Sequence, residues 1–373
     1  MLNEELIEMI DLSKRFMKNE IEEGALEADL NRDDKWLLKI WEKSAEIGYP
    51  NLVIPEEYGG VGQSDLCAGL VLDAFSSGCA GIASLFAGHF AACRCISMAD
   101  DLIKRKYLEA IAQTGVRKDG IAALVLPSND DDIQLKIIRN DGGIFVNGAS
   151  GLTLGAGIAR YFCVFCNDEE NKNIICFIVE GGEKEIVIGE NPLLPGLKVN
   201  PFAPVIFDNL RISNENIISI KSKGAALLSE IREIFFGFIA ALSIGTARTA
   251  YNKALAYAEE RYQYGKMIIN HSEIQRMLGA MAMKLSVGES AYIEALSHDD
   301  SAIGENKNRA RFAKIFCSDS AVEIAIDAIQ IHGGYGYMHD YGIEKIMRDA
   351  KVLQMLGGTS PELCVQTIAG EMK

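Results

Sequence analysis

Apolar residues in this chain recur with a helical period up to about residue 120, with a strand-like period from about 121 to 222, and with a helical period again from about 223 to 373. Helical segments are predicted over residues 4–18, 33–47, 63–75, 82–98 and 101–114, punctuated by Pro50 and by Tyr58-Gly-Gly60. Short β-branched runs follow at 121–126, 134–139, 144–147, 160–166, 174–180 and 205–207, and Asn140-Asp-Gly-Gly143 reads as a hairpin turn. Residues 227–262 then form one very long apolar segment broken only by Gly237 and Gly245, with further helices over 273–295, 307–332, 341–355 and 361–372. A doubly wound nucleotide-binding fold would alternate strand and helix instead. The expectation is a mainly α, α+β protein of three domains. These are an all-α domain at 1–120, a β-barrel or sandwich at 121–222 and a four-helix bundle at 223–373. Helices apolar around most of their circumference suggest oligomerisation.

A formal charge of −15 argues against nucleic acid and against an anionic membrane surface, although a local basic pocket could still take a phosphorylated ligand. Residues 1–18 form an amphipathic helical pattern rather than a secretory signal, and no run of 18 uncharged apolar residues suggests a membrane span. Nine scattered cysteines, an odd number, suggest reduced thiols in a cytoplasm. Cys163 and Cys166 lie on an apolar strand-like run, where residues three apart face opposite ways. No metal site is expected.

Several segments carry chemistry together: Ile54-Pro-Glu-Glu-Tyr-Gly-Gly60, Gly245-Thr-Ala-Arg248, Ala256-Tyr-Ala-Glu-Glu-Arg-Tyr-Gln-Tyr-Gly-Lys266 with His271, Gln330-Ile-His-Gly-Gly-Tyr-Gly-Tyr337, Glu344-Lys-Ile-Met-Arg-Asp-Ala-Lys351 and Gly358-Thr-Ser360. In order and spacing, from about residue 33 to the C-terminus, this set resembles the acyl-CoA dehydrogenase family, flavoenzymes that desaturate acyl thioesters. The resemblance implies that family's fold and FAD as cofactor. Arg261 matches the arginine that contacts the flavin pyrophosphate of a neighbouring subunit, and a fixed guanidinium fork suits phosphate oxygens. Tyr264 and His271 match positions lining the cofactor. Gln330, Gly333 and Gly334 match the turn where backbone closes on FAD, and Thr359 and Ser360 also fall at cofactor positions. A homotetramer or dimer is implied, with an acyl-CoA or carrier-protein-bound acyl thioester as substrate. Electron-transfer flavoprotein or another acceptor would take the electrons.

The catalytic base is where the pattern breaks. In the family a carboxylate removes the α-proton while hydride leaves the β-carbon for the flavin. The usual position directly before Gly-Thr-Ser is Gly357 here, and the alternative position on the long helix is Phe235, followed by Phe236 where an arginine is usual. Glu233, roughly 200° round the helix, and Glu230 are poorly phased to substitute. The family's Thr-Glu-Pro-Gly stretch is reduced to Val125-Leu-Pro127-Ser-Asn-Asp130, and its Trp-Ile-Thr stretch to Leu152-Thr-Leu154. The substrate pocket is expected between β domain and bundle, at Phe235, Phe236, Leu356 and Gly357, with His89 as an alternative acid or base. Three functions fit. The first is an FAD-dependent thioester oxidoreductase with a relocated base or an unusual substrate, such as one with a β-leaving group. The second is a non-catalytic partner subunit in a heteromer, and the third a non-redox thioester-binding protein.

Overall fold

The computed structural model describes residues 4–114, 118–127, 134–140, 142–218, 224–297 and 308–371. Ser128 to Asp130, and Asp141 of the predicted hairpin turn, lie outside the described residues.

The N-terminal helices are α1 (Glu4–Phe16), α2 (Ala25–Asn31), α3 (Asp34–Ala45), α4 (Asp65–Gly78), α5 (Ala80–Ser97) and α6 (Asp101–Thr114). Their starts follow capping chemistry. The Asp33 carboxylate accepts from Lys35 N at 3.0 Å and Trp36 N at 3.1 Å, and Ser64 Oγ accepts from Cys67 N at 3.2 Å. Residues 4–18 form a shorter α-helix than the pattern suggests, because the chain loosens into a π-turn at Met17–Ile21. Helix α2 was not anticipated, and it ends where Arg32 turns left-handed at φ 51°. By length and composition α5 could cross a bilayer, yet 89% of its apolar window is buried within the fold, as in the core helix of a water-facing domain.

Strands β1 (Ala122–Val125), β2 (Lys136–Asn140), β3 (Gly143–Thr153), β4 (Tyr161–Asp168), β5 (Asn173–Glu180), β6 (Ile186–Ile188) and β7 (Ala203–Ile212) form one mixed sheet. Its path runs β1-β4-β2-β3-β7-β6, with β5 also on β4. Alternation along β4 serves two cores: Cys163 and Phe165 face the helical core, while Phe162, Val164 and Cys166 face the core of the sheet. The two cysteines thus diverge, as strand geometry requires. Strand β6 was missed because it is three residues long and mostly exposed.

The C-terminal half holds α7 (Gly224–Glu260), a small hairpin β8 (Tyr262–Gln263) with β9 (Lys266–Met267), then α8 (Ser272–Leu296), α9 (Arg309–His332), α10 (Ile343–Met355) and α11 (Ser360–Glu371). Helix α7, 37 residues long, packs on α4 and α5 as well as α8, α9 and α10 and ties the helical blocks into one core. Gly245 allows the close approach, since a Cβ there would stand 2.1 Å from Asp73 O. Asp73 in turn accepts from Arg248 Nη2 at 3.0 Å and from Tyr292 OH at 2.8 Å, a buried network whose charge is compensated.

A second network closes the junction with the sheet domain. Arg348 Nη2 meets Asp29 Oδ2 at 2.7 Å and its Nη1 donates to Pro195 O at 2.5 Å, while Asp349 Oδ1 accepts from Leu197 N at 2.6 Å. The motif Glu344 to Lys351 thereby locks α10 to both the N-terminal helices and the loop before β7. It fixes one wall of the cavity between them.

Candidate functional site

A cavity of about 530 Å³ opens between β1, β3, α7 and the turn after α10. Its walls are mainly apolar, and Phe235, Phe236, Leu356 and Gly357 all line it. Pro127 and Leu152-Thr153-Leu154, which replace the family's flavin-facing stretches, line it too. Gly357 adopts φ +71°, a region that L side chains rarely enter, and a Cβ there would stand 3.0 Å from Phe236 Cε1 and 3.3 Å from Ile239 Cδ1. Phe236 is buried against Ala310 and Leu363 on one side and lines the cavity on the other. A side chain at position 357 would therefore meet both an unfavourable backbone and a tight neighbour.

Among the described residues Glu362 is the only carboxylate that lines the cavity. Its Oε2 accepts from Thr359 N and Thr359 Oγ1, both at 2.8 Å, so it caps α11. The backbone N–H of Thr359, then its hydroxyl, holds this carboxyl below its ordinary range. The spacing Thr359-Ser-Pro-Glu362 is a capping-box signal that sequence reading could have used to find it.

Glu233 lies outside the cavity wall, as its helical phase suggests. Burial pushes its carboxyl up to about 7, against the opposing pull of Arg311 and the backbone N–H groups of Arg311 and Ala310 at the start of α9. His89 requires a correction: it does not reach the cavity, which α5 lines through Gly88. The ring is fully buried, Nε2 lies 2.8 Å from Pro50 O, and Nδ1 accepts from Ala122 N at 3.1 Å. Both nitrogens are therefore occupied, and burial holds the ring neutral, with its pKa lowered to about 4. It joins helix to sheet and cannot shuttle protons.

The predicted cofactor residues fall in two places. Arg261, Gly333 and Gly334 line a second pocket of about 340 Å³ where α7 ends and α9 turns. Gly333 adopts φ +57°, and a Cβ on Gly333 or Gly334 would meet nothing within 4 Å, so backbone is bared toward open space. The Arg261 guanidinium sits 5.7 Å from the Tyr335 ring centroid. Sequence reasoning missed Tyr257 and gave no role to His332, which stack at 4.4 Å and 22° to form the floor. Both stand inside motifs already noted, Tyr257 in Ala256–Lys266 and His332 in Gln330–Tyr337. Tyr264 (93% exposed) and His271 lie on or beside the hairpin at the rim, with His271 Nε2 3.2 Å from Gln263 O, and Gln330 is exposed nearby. Thr359 belongs to the larger cavity, and Ser360 Oγ donates to Asp319 Oδ1 at 2.7 Å. A cationic fork, bared glycine backbone and an aromatic floor fit the phosphate and adenine parts of FAD.

Cys95, Cys163 and Cys176 converge from α5, β4 and β5, with sulfur–sulfur distances of 3.6 Å and 3.8 Å to Cys176. Burial pushes the Cys163 and Cys176 thiols well up, whereas at Cys95 burial is outweighed by hydrogen bonds from Cys163 and Cys176, which draw that thiol down to about 6.

The chain matches the family models for the acyl-CoA dehydrogenase N-terminal domain over residues 3–115 and C-terminal domain over residues 237–372. It is 26% identical over 365 residues to a cyclohex-1-ene-1-carbonyl-CoA dehydrogenase of Syntrophus aciditrophicus, covering 96% of this chain and 88% of that one. It is 29% identical over 358 residues to a 3-(aryl)acrylate reductase of Clostridium sporogenes, covering 94% and 93%. Its fold superposes on butyryl-CoA dehydrogenase of Megasphaera elsdenii with a TM-score of 0.90 over 100% of this chain and 99% of that one, at 23% identity. The chain belongs to the acyl-CoA dehydrogenase family, FAD-dependent oxidoreductases that act on the CH–CH bonds of acyl thioesters.

Proposed function

We propose that this protein transfers hydride between FAD and an acyl thioester whose α-carbon needs no side-chain carboxylate to lose or gain its proton. The observation that carries this reading is the apolar cavity in which Glu362, the only lining carboxylate among the described residues, is engaged in capping α11, while Gly357 adopts φ +71° with Phe236 Cε1 3.0 Å from the place of a Cβ. General bases contribute about 10² to 10⁴ in rate, so a hydride-transfer substrate handled without one must offer an acidified α-C–H or an already conjugated double bond to reduce. Two relatives that carry ring-bearing thioester or arylacrylate names support a compact, conjugated acyl group.

Bound FAD would supply the hydride acceptor or donor. Arg261 would hold its pyrophosphate, Gly333 and Gly334 would let it approach the backbone, and Gln330, Tyr264 and His271 would close over it from the rim. Thr359 and Ser360 would meet it from the α11 side. The exposed apolar residues Met283 and Val287 of α8, and Phe312, Phe316 and Ile326 of α9, support a homotetramer or dimer whose bundles pack together. Electron-transfer flavoprotein or a similar acceptor would complete the cycle, in the cytoplasm.

The test is the visible spectrum of the purified protein, followed anaerobically with acyl-CoAs and 2-enoyl-CoAs of varied length and ring content. Bleaching by α-acidified saturated thioesters, or reoxidation of the reduced protein by conjugated enoyl-CoAs, supports the reading. Flavin untouched by every thioester points to a partner subunit, and protein that takes up no FAD ends the oxidoreductase reading.

A further inference from the structure

Lys314, near the start of α9, is fully buried, and nothing in the reading above uses it. Its Nζ donates to Gln354 O at 2.8 Å and to Gly358 O at 2.5 Å. Gln354 O is one of the last carbonyls of α10, which have no partner within the helix, and Gly358 O lies in the turn that follows. From the same helix Asp319 Oδ1 accepts from Gln354 Nε2 and from Ser360 Oγ, both at 2.7 Å. An ammonium and a carboxylate on α9 therefore grip the turn from before and after. The turn needs holding, because Gly357 (φ 71°) and Gly358 (φ 112°) leave its backbone free to take other shapes. Leu356, Gly357, Gly358 and Thr359 all line the cavity, while Lys314 does not.

We infer that Lys314 is a positioning residue for the thioester reaction, whose ammonium fixes residues 356–359 as a rigid cavity wall without touching the ligand. This rests on the thioester reading above. Burial pushes the ammonium down to about 8, against the pull of Asp319 on its own helix and Glu362 on α11. The other charged groups around it are already engaged: Lys351 of α10 donates to Gln354 Oε1 at 2.6 Å, and Glu233 of α7 faces the Arg311 and Ala310 N–H groups. Above pH 8 the two charge-assisted bonds become neutral ones, roughly half as strong. The sign for stability is opposite. Because the folded pKa lies below the unfolded one, the unfolded chain binds more protons above pH 8, and this group's contribution to stability rises there. Loosened ligand without loss of stability is a signature that a merely structural lysine would not give.

The experiment uses FAD-loaded wild type and Lys314→Met. Binding of acetoacetyl-CoA is read from the flavin spectrum between pH 6.5 and 9.5, alongside hydrogen-exchange protection of the 354–360 peptide. The expected result is about tenfold weaker binding in K314M with FAD retained, because two buried carbonyls lose their donor. Protection should fall in that peptide alone. Wild-type affinity should drop a few-fold above pH 8, and K314M should show no such step. Unchanged peptide protection and affinity in K314M would overturn the inference. If K314M does not fold, wild-type protection and affinity that stay flat across pH 8 overturn it equally. Wild type that binds no acetoacetyl-CoA at any pH defeats the thioester reading, and the exchange of the 354–360 peptide still decides the role of Lys314.

Discussion

The pocket at Arg261 and the cavity at Gly357 both draw on α7, yet they match the family's motifs to different degrees. At Arg261 the motif residues are present and converge: cation, bared glycines and a stacked Tyr257–His332 floor share one pocket. At Gly357 no side chain enters the cavity, the backbone turns to φ +71°, and Phe236 Cε1 stands 3.0 Å from where a Cβ would sit. A simple loss of the base would leave a hole that a reverse mutation fills. A site with this backbone and this neighbour should instead resist the introduction of a carboxylate.

The sharpest way to break this comparison is Gly357→Glu. The left-handed backbone and the 3.0 Å approach to Phe236 should together cost about 2–5 kcal/mol in denaturant unfolding, with no gain in flavin reduction. Adding Phe236→Ala should recover part of that loss, and a fully stable, active single mutant would show the site was never closed.

Next in size is the acid sensitivity of the helix–sheet junction. His89 has a folded pKa of about 4 against an ordinary 6.5, so the stability it gives is present above pH 6.5 and is lost as pH falls toward 4. The loss should reach about 3 kcal/mol in unfolding titrations, and His89→Gln should remove that slope. Persistence of the slope in His89→Gln would assign it to other groups.

Arg261→Ala should weaken FAD binding about tenfold to a hundredfold by equilibrium dialysis, as expected for losing a charge-assisted contact, while leaving Gly357 and its surroundings intact. Equal FAD affinity would place the pyrophosphate elsewhere. The smallest effect belongs to Glu233→Gln, since the neutral amide oxygen can still accept from the start of α9. Flavin reduction should change less than about threefold, whereas loss of a true base would cost at least about a hundredfold.

The alternation of periods along the chain displays the order of helices and strands, because each period is local. The junctions are not local. Nothing around His89 announces that Pro50 O and Ala122 N close on its ring from 39 residues before and 33 after. The missing base was legible at Gly357 from its motif, but Phe236 looked like a separate loss until the two met in space. Glu233 was correctly phased away from the cavity by helix geometry alone. Lys314, one apolar-flanked lysine among many, acquires meaning only through carbonyls 40 and 44 residues on.

The central claim is that this site moves hydride without a carboxylate at the α-carbon. Its most direct test is anaerobic mixing of the FAD-loaded protein with butyryl-CoA, a saturated thioester with an ordinary α-C–H, beside a saturated thioester whose α-C–H is acidified by a substituent and whose β-carbon still carries a transferable hydride. The account predicts that butyryl-CoA leaves the flavin band standing while the activated thioester bleaches it. Rapid bleaching by butyryl-CoA would contradict the account and require a base within the cavity.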